Sequence, residues 1–379
     1  MRARWIIVAM LTIIGPSCAL GADDPLKKLA KQFDKITAKQ AGYPSRVARE
    51  CRRFPEGDLF PYVLPAIAYA NITLADPRRR SDALERMKRL LDAAVASTIK
   101  EVKPPEGDLA KLTSYKKHGT YLGQLNMALG YYRLIGGDKR YDAINKAISD
   151  ALHKALVESK GRPLESFPTY SWTFDTVAAA LSLRLYDHNT DSARSASVIR
   201  SYLEWMGKNG IHKSTKLPYS IINSAGKGMK LPRGCDLSWR ISMLAQLDAA
   251  LAKRMYEAYV KSFWLDRRLI AGFAEWPGGK GGRQDADSGP IVMGIGMTAS
   301  GLGIAAASST GDTKRRDSLC TQAMEFQKLI RQLGSTSPKM KKALTLDGLI
   351  KSKSDYVTGF LYGDATLFYA VSWRPLPFK

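Results

Sequence analysis

The stretch LGQLNMALGYYRL (residues 122–134), IGGD (135–138) and YDAINKAISDALHKALV (141–157) decides how the whole chain is read. Apolar residues recur at helical spacing on both sides of a Gly-Gly break, which predicts two antiparallel helices joined by a short turn. The unit repeats. Tyr62 to Leu74 and Ala83 to Ile99 flank Asp76-Pro77, with Pro77 where a second helix can begin. Asp175 to Leu185 with Ala193 to Met206, Leu237 to Leu247 with Ala250 to Phe263, and Ile291 to Ala307 with Arg315 to Leu333 make three more pairs. Tyr356 to Val371 has no successor and Pro25 to Ala38 no predecessor, so pairing the two ends closes a ring of six hairpins. The expected fold is all-α, an (α/α)₆ barrel in one domain covering residues 22–379.

The first helix of each pair is poor in charge and rich in Ala and Gly, as a helix packed on both sides should be, whereas Arg78 to Lys100 and Arg315 to Arg331 are charged on one face. The former are inner helices and the latter outer. A short cluster of aromatic and charged residues precedes each inner helix: Gly57 to Phe60, His118 to Tyr121, Ser171 to Asp175, Cys235 to Trp239, Asp285 to Pro290 and Ser354 to Tyr356. Successive clusters are 60, 54, 64, 51 and 68 residues apart. That period is too long for a TPR or HEAT solenoid and suits a hairpin plus one long loop. Inner helices of a ring run in one direction, so all six clusters are expected at one rim.

Arg2 and Arg4, an apolar run from Trp5 to Ile14, a Gly15-Pro16 break and small residues at Ala19-Leu20-Gly21 have the pattern of a signal peptide over residues 1–21, cleaved before Ala22. The apolar run is about ten residues, short of the ~20 needed to span a bilayer. A lipoprotein cysteine at Cys18 is the alternative, although an aliphatic residue three positions before it is lacking. The expected address is therefore outside the cytoplasm. Cys51, Cys235 and Cys320 remain, enough for one disulfide at most. With no CxxC pair, neither a metal nor a cofactor is expected.

The formal charge of +23 becomes +21 when Arg2 and Arg4 are removed. Such a field favours polyanions, among them anionic glycans, lipopolysaccharide and lipid headgroups. Nucleic acid is the weakest partner of that set, because the chain carries no nucleic-acid-binding motif and is addressed away from the chromosome.

At the rim, Glu275 lies in Ala274-Glu275-Trp276-Pro277, an aromatic setting that desolvates a carboxyl and raises its pKa. With Asp287 it forms a candidate acid and base for glycoside hydrolysis, and Asp285 lies beside them. Asp175, in the first turn of its helix, reads equally as a dipole partner or a site acid. His118 with Tyr121 is a candidate for proton abstraction in a lyase or isomerase. Trp172, Trp239 and Trp276 suit sugar stacking or ordinary packing, while Cys235 reads as a packed thiol or a nucleophile. Asn126, Asp236, Arg240 and Asp364 complete the candidate binding set. Asp58, Asp236 and Asp355 also stand where helix N-caps belong.

The segments Tyr115 to Tyr141, Arg233-Gly234-Cys235-Asp236-Leu237-Ser238-Trp239 and Asp285-Ala286-Asp287-Ser288-Gly289-Pro290 resemble the linalool dehydratase/isomerase-like group of α/α-toroid proteins. That group is related in architecture to six-hairpin glycosidases and terpenoid cyclases. The resemblance spans most of residues 45–373 and implies an (α/α)₆ barrel with its pocket at the inner-helix rim. In the namesake enzyme a histidine, tyrosines, an aspartate and two cysteines serve the reaction; His118 and Cys235 stand for two of these roles. A second rim cysteine is missing, so terpene dehydration does not carry over. The expectation is an exported enzyme acting on a glycan or another polyhydroxylated substrate. A lyase or isomerase, or a non-catalytic glycan- or lipid-binding envelope protein, is the alternative.

Overall fold

The computed structural model describes residues 24–38, 42–115, 117–267, 270–336 and 356–378. The expected signal peptide over residues 1–21, with Cys18, and Asp355 of the last cluster lie outside the described residues. Thirteen helices are present there: α1 (Pro25–Ile36), α2 (Tyr43–Glu50), α3 (Phe60–Ala75), α4 (Arg80–Val102), α5 (Gly119–Leu134), α6 (Asp142–Glu158), α7 (Thr173–Thr190), α8 (Ser195–Asn209), α9 (Gly234–Leu244), α10 (Ala249–Phe263), α11 (Met297–Thr310), α12 (Thr313–Thr336) and α13 (Leu361–Ser372).

The inner ring closes through neighbour contacts: α3 on α5, α5 on α7, α7 on α9, α9 on α11, α11 on α13 and α13 back on α3. Outer helices α4, α6, α8, α10 and α12 each cover the inner helix that precedes them, and α1 covers α13. Burial follows this division. All of α9 is buried, as are Gly119 through Tyr132 of α5, whereas α4 buries only the stripe Ala83, Met87, Leu90, Leu91, Ala94 and Thr98. Small residues let the inner helices approach; a Cβ on Gly123 of α5 would stand 3.1 Å from the Ala179 nitrogen of α7.

Ring closure rests on specific contacts between the two ends of the chain. Phe33 of α1 stacks on Phe368 of α13 at 4.9 Å, and Gln32 donates to Asp364 Oδ2 at 2.7 Å. Asp364 also accepts from the backbone N–H groups of Val357 and Thr358 and from the Thr358 hydroxyl. A carboxylate so enclosed binds the terminal hairpin together, since leaving it unmet when buried would cost ~1–3 kcal/mol.

Three short sheets decorate the rim. Strands β1 (Tyr170–Trp172), β2 (Ile221–Asn223) and β3 (Gly228–Lys230) pair in that order; β4 (Trp264–Asp266) pairs with β5 (Ala271–Phe273), and β6 (Ile291–Val292) with β7 (Ile295–Gly296). The last pair corrects the sequence expectation of a helix from Ile291. Met293 and Gly294 both adopt positive φ, the geometry of a tight hairpin turn, and the helix starts only at Met297. Helix α2 was not anticipated, being only eight residues long. The N-cap expectation is also corrected. Leu59 and Arg233 occupy the cap positions of α3 and α9, leaving Asp58 and Asp236 for side-chain partners. The three cysteines Cys51, Cys235 and Cys320 are unpaired, and no helix among the described residues is long and apolar enough to cross a membrane.

Candidate active site

Arg233 is the centre of one side of the rim. It caps α9 in extended backbone, is 0% exposed, and is fixed by a bond from its N–H to Ser220 Oγ at 3.0 Å. Its guanidinium donates to Glu275 Oε1 at 2.6 Å and to Asp285 Oδ1 at 2.7 Å, and Nη1 lies 3.7 Å from Asp287 Oδ2. The rings of Trp172 and Trp276 lie 5.7 and 5.3 Å from the same guanidinium carbon. The sequence segments around Trp172, Arg233, Glu275 and Asp287 therefore meet at one cation. Gly234 permits it: a Cβ there would stand 2.0 Å from the Ala274 carbonyl oxygen, where the chain leaving β5 passes α9.

Glu275 is sealed beneath this centre with no exposed surface. Besides Arg233 it accepts from the Cys235 backbone N–H and from the Cys235 thiol, each at 3.2 Å. Burial pushes its carboxyl up and the guanidinium opposes that push. Burial, then the Glu275 charge, holds the Cys235 thiol well above the usual range, so the sulfur stays protonated. Asp285 and Asp287 remain reachable, with side chains 43% and 36% exposed. Despite its own burial, Asp285 is held below the usual carboxylate range by its bond to Arg233. Asp287 is raised, chiefly by burial, with the Arg233 charge opposing the shift.

The other side of the rim has carboxylates without matching cations. Glu56, just before α3, has φ of 45°, a conformation that costs a non-glycine residue energy. The turn needs Gly57 next to it, where a Cβ would stand 2.0 Å from the Cys51 carbonyl oxygen. Burial, then the fields of Asp175, Asp287 and Asp58, pushes the Glu56 carboxyl up to about 8. Asp175 is 1% exposed, accepts from Thr120 Oγ1 at 2.6 Å, and is pushed by burial up to about 7. Asp58 accepts from Tyr121 OH at 2.8 Å, and burial with this bond keeps the phenol protonated. His118 adopts φ of 79° at the cap of α5, with Nδ1 3.5 Å from Glu101; burial lowers its pKa and favours the neutral ring.

Between the two sides lies an aromatic floor. Trp239 of α9 meets Phe60 of α3 at 5.1 Å and Phe174 of α7 at 5.4 Å, and Phe60 meets Tyr362 of α13 at 6.3 Å. These rings come from opposite arcs of the toroid and close its centre below the mouth. Buried donors without a hydrogen-bond acceptor remain at this end, Arg233 Nη1 and Trp276 Nε1 among them.

Several sequence candidates have other surroundings. Asp236 and Arg240 bind each other in a buried bidentate pair at 2.9 and 3.1 Å, and Arg240 also reaches Thr173 at the start of α7. Asn126 is buried along α5 in a network with Ser149, Ser182 and Asn145. Asp364 is consumed by ring closure. Conversely, Arg233 entered the sequence reading only as part of a motif, and Glu56 was missed. Its sequence signal was a carboxylate adjoining the first of the six rim clusters.

No protein-family model matches this chain. Among solved structures it is similar to a GH76 α-mannanase from Bacteroides thetaiotaomicron, with a TM-score of 0.54, 10% identity, and coverage of 93% of this chain and 96% of the other. It is similar in the same measure to an α-1,6-mannanase from Salegentibacter sp. HEL1_6, covering 93% of this chain and 98% of that one. The latter is an inactive variant, with two consecutive aspartates replaced by alanine, in complex with α-1,6-mannotetrose. At this identity the likeness shows the architecture: the chain is an (α/α)₆ toroid.

Proposed function

We propose that this protein is an exported glycoside hydrolase that cleaves a glycan at the acidic mouth, with Glu56 as general acid and Asp287 as general base. The observation that carries this reading is a carboxyl raised to about 8 facing other carboxylates across an aromatic floor. Glu56 is raised among other carboxylates, whereas Asp287 has the Arg233 guanidinium 3.7 Å away to favour its ionised form, and a proton donor beside an ionised acceptor is what acid/base hydrolysis of a glycosidic bond requires. Glu56 gives its proton to the glycosidic oxygen as the C–O bond breaks, while Asp287 takes a proton from the attacking water. The half-exposed Asp285 and Asp287 are the groups within reach of sugar hydroxyls, and Trp239 with Phe60 and Phe174 forms the apolar floor beneath them. The α-mannanase neighbours, one of them in complex with a mannose oligosaccharide, make α-linked mannans the first substrates to try. Consecutive aspartates like those replaced in that neighbour occur here only at Asp23-Asp24, far from the rim clusters in sequence, so the acid and base are argued from this chain's own geometry.

Glu275 keeps a role as the buried carboxylate that orients Arg233, in place of the proton donor expected from sequence. A lyase or isomerase, as the linalool dehydratase/isomerase-like resemblance implies, has its own support in the neutral His118 and the Tyr121–Asp58 pair. Reducing-sugar release from α-linked mannooligosaccharides, measured for the parent chain, Glu56→Gln and His118→Ala, separates the readings. Hydrolysis requires Glu56→Gln to lose turnover while His118→Ala retains it. The reverse pattern selects the lyase or isomerase, and binding without turnover in the parent chain selects a glycan-binding protein.

A further inference from the structure

From Trp205 to Cys235 the chain carries Lys208, Lys213, Lys216, Lys227, Lys230 and Arg233 and not one Asp or Glu. Arg233 is consumed in the mouth, but the five lysines are exposed, and none forms an ion pair among the described residues. The same segment presents two of the most exposed large apolar side chains of the molecule, Met229 at 60% and Leu231 at 47%. They alternate with Lys230 on and just beyond β3, the edge strand of the three-stranded sheet.

This hairpin is preformed. Asn223 Oδ1 accepts from the backbone N–H groups of Ala225 and Lys227 across the turn, and Gly226 sits so close to Trp205 that a Cβ would stand 2.9 Å from the indole. Tyr219 packs equally tightly under Gly228. A rigid support means that lysines and apolar tips are held outward without the ordering cost that a flexible loop would bear on binding. Exposed apolar groups framed by lysines have one surface that satisfies both, an anionic headgroup layer above hydrocarbon. A soluble polyanion satisfies only the lysines.

We propose that the β2–β3 hairpin and the loop before it dock the protein on an anionic lipid surface, with Met229 and Leu231 entering between headgroups. The mouth lies beside this surface, since Lys230 Nζ is 5.4 Å from the ring of Trp172. The test is flotation of the full chain with vesicles of phosphatidylglycerol and phosphatidylcholine, against phosphatidylcholine alone. The parent chain should bind the anionic vesicles only, and more weakly as salt rises. Lys213→Gln with Lys216→Gln should lower affinity about twenty-five-fold, taking each lysine as roughly a fivefold effect. Met229→Ser with Leu231→Ser should lower it about tenfold through lost apolar burial. All these chains keep the run from Trp5 to Ile14, so a difference between them reports on the hairpin. The proposal is overturned if the parent chain ignores anionic vesicles, or if neither pair changes binding. It is also overturned if dextran sulfate competes fully while the Met229/Leu231 pair has no effect, which would mark a polymer site.

Discussion

The two sides of the mouth handle charge in opposite ways. On the Arg233 side every carboxylate has a cation: Glu275 and Asp285 are bonded to the guanidinium and Asp287 lies 3.7 Å from it. On the Glu56 side, Glu56 and Asp175 have hydroxyls and other carboxylates for company, and both are driven upward to about 8 and about 7. Paired charges in a dry site are rigid and chemically quiet, whereas unpaired carboxyls retain protons that can be transferred near neutral pH. Hence, in the proposed hydrolysis, Arg233 with the buried Glu275 is the scaffold, Asp287 at its half-exposed edge is the base, and the second side is the source of acid.

Substituting one carboxyl from each side gives the largest and most divergent effects. Glu56→Gln preserves shape and removes the transferable proton, so kcat should fall by about two to four orders of magnitude with the melting temperature held. Glu275→Gln should instead show first in stability. It leaves the buried guanidinium of Arg233 with one countercharge fewer, a class of change that costs up to about 3–5 kcal/mol. Thermal unfolding and kcat measured on both variants decide the assignment. If Glu275→Gln melts like the parent chain but is inactive, the two roles are exchanged.

The pH dependence sharpens the contrast. Glu56 must be protonated to act, so kcat/KM should decline as pH rises through about 8. Stability should change at both ends of the scale, with opposite signs. Raised folded-state values mean that the stability tied to Glu56 and Asp175 is whole below their unfolded values and is lost as pH climbs through about 8 and about 7. Asp285 is depressed, so its contribution is present above its unfolded value and is lost as pH falls through its lower folded one. Urea unfolding of the parent chain and Glu56→Gln across pH checks this. The variant should lose part of the alkaline decline and keep the acid one.

Thr120→Val tests the quieter carboxyl of the acid side. It removes the hydroxyl that donates to Asp175 at 2.6 Å, and a buried carboxyl deprived of that donor costs about 1–3 kcal/mol. Asp175 should then titrate higher still, and the alkaline loss of stability should move with it. Since Asp175 is 1% exposed, turnover should respond far less than in Glu56→Gln.

What could be read in the sequence follows the same division. Helical periodicity and the placement of charge disclose the hairpins because burial on one side or on both is a local property of each helix. The rim clusters that lie among the described residues were also legible, since every inner helix runs the same way. Pairing across the mouth was not. That Asp236 would spend itself on Arg240, that Asp364 would join the chain ends, and that Glu275 would vanish beneath Arg233 depend on which loops fold over which. Glu56 escaped notice because its raised pKa arises first from burial in the folded rim and then from the charges of Asp175 and Asp287, which lie more than a hundred residues away in sequence.

Cys235→Ala is the smallest expected change and bears on the scaffold side alone. The thiol donates to Glu275 Oε1, but that carboxylate already holds Arg233 at 2.6 Å and the Cys235 backbone N–H, which the substitution keeps. Losing one weak S–H donor and a single buried sulfur should cost about 1 kcal/mol. Turnover should survive, because burial and the neighbouring Glu275 charge hold the thiol protonated, so no thiolate is available as nucleophile. Steady-state kinetics with a melting curve provide the check. An inactive Cys235→Ala with an unchanged melting temperature would mean that the sulfur takes part in the chemistry and that the paired side of the mouth is not merely its frame.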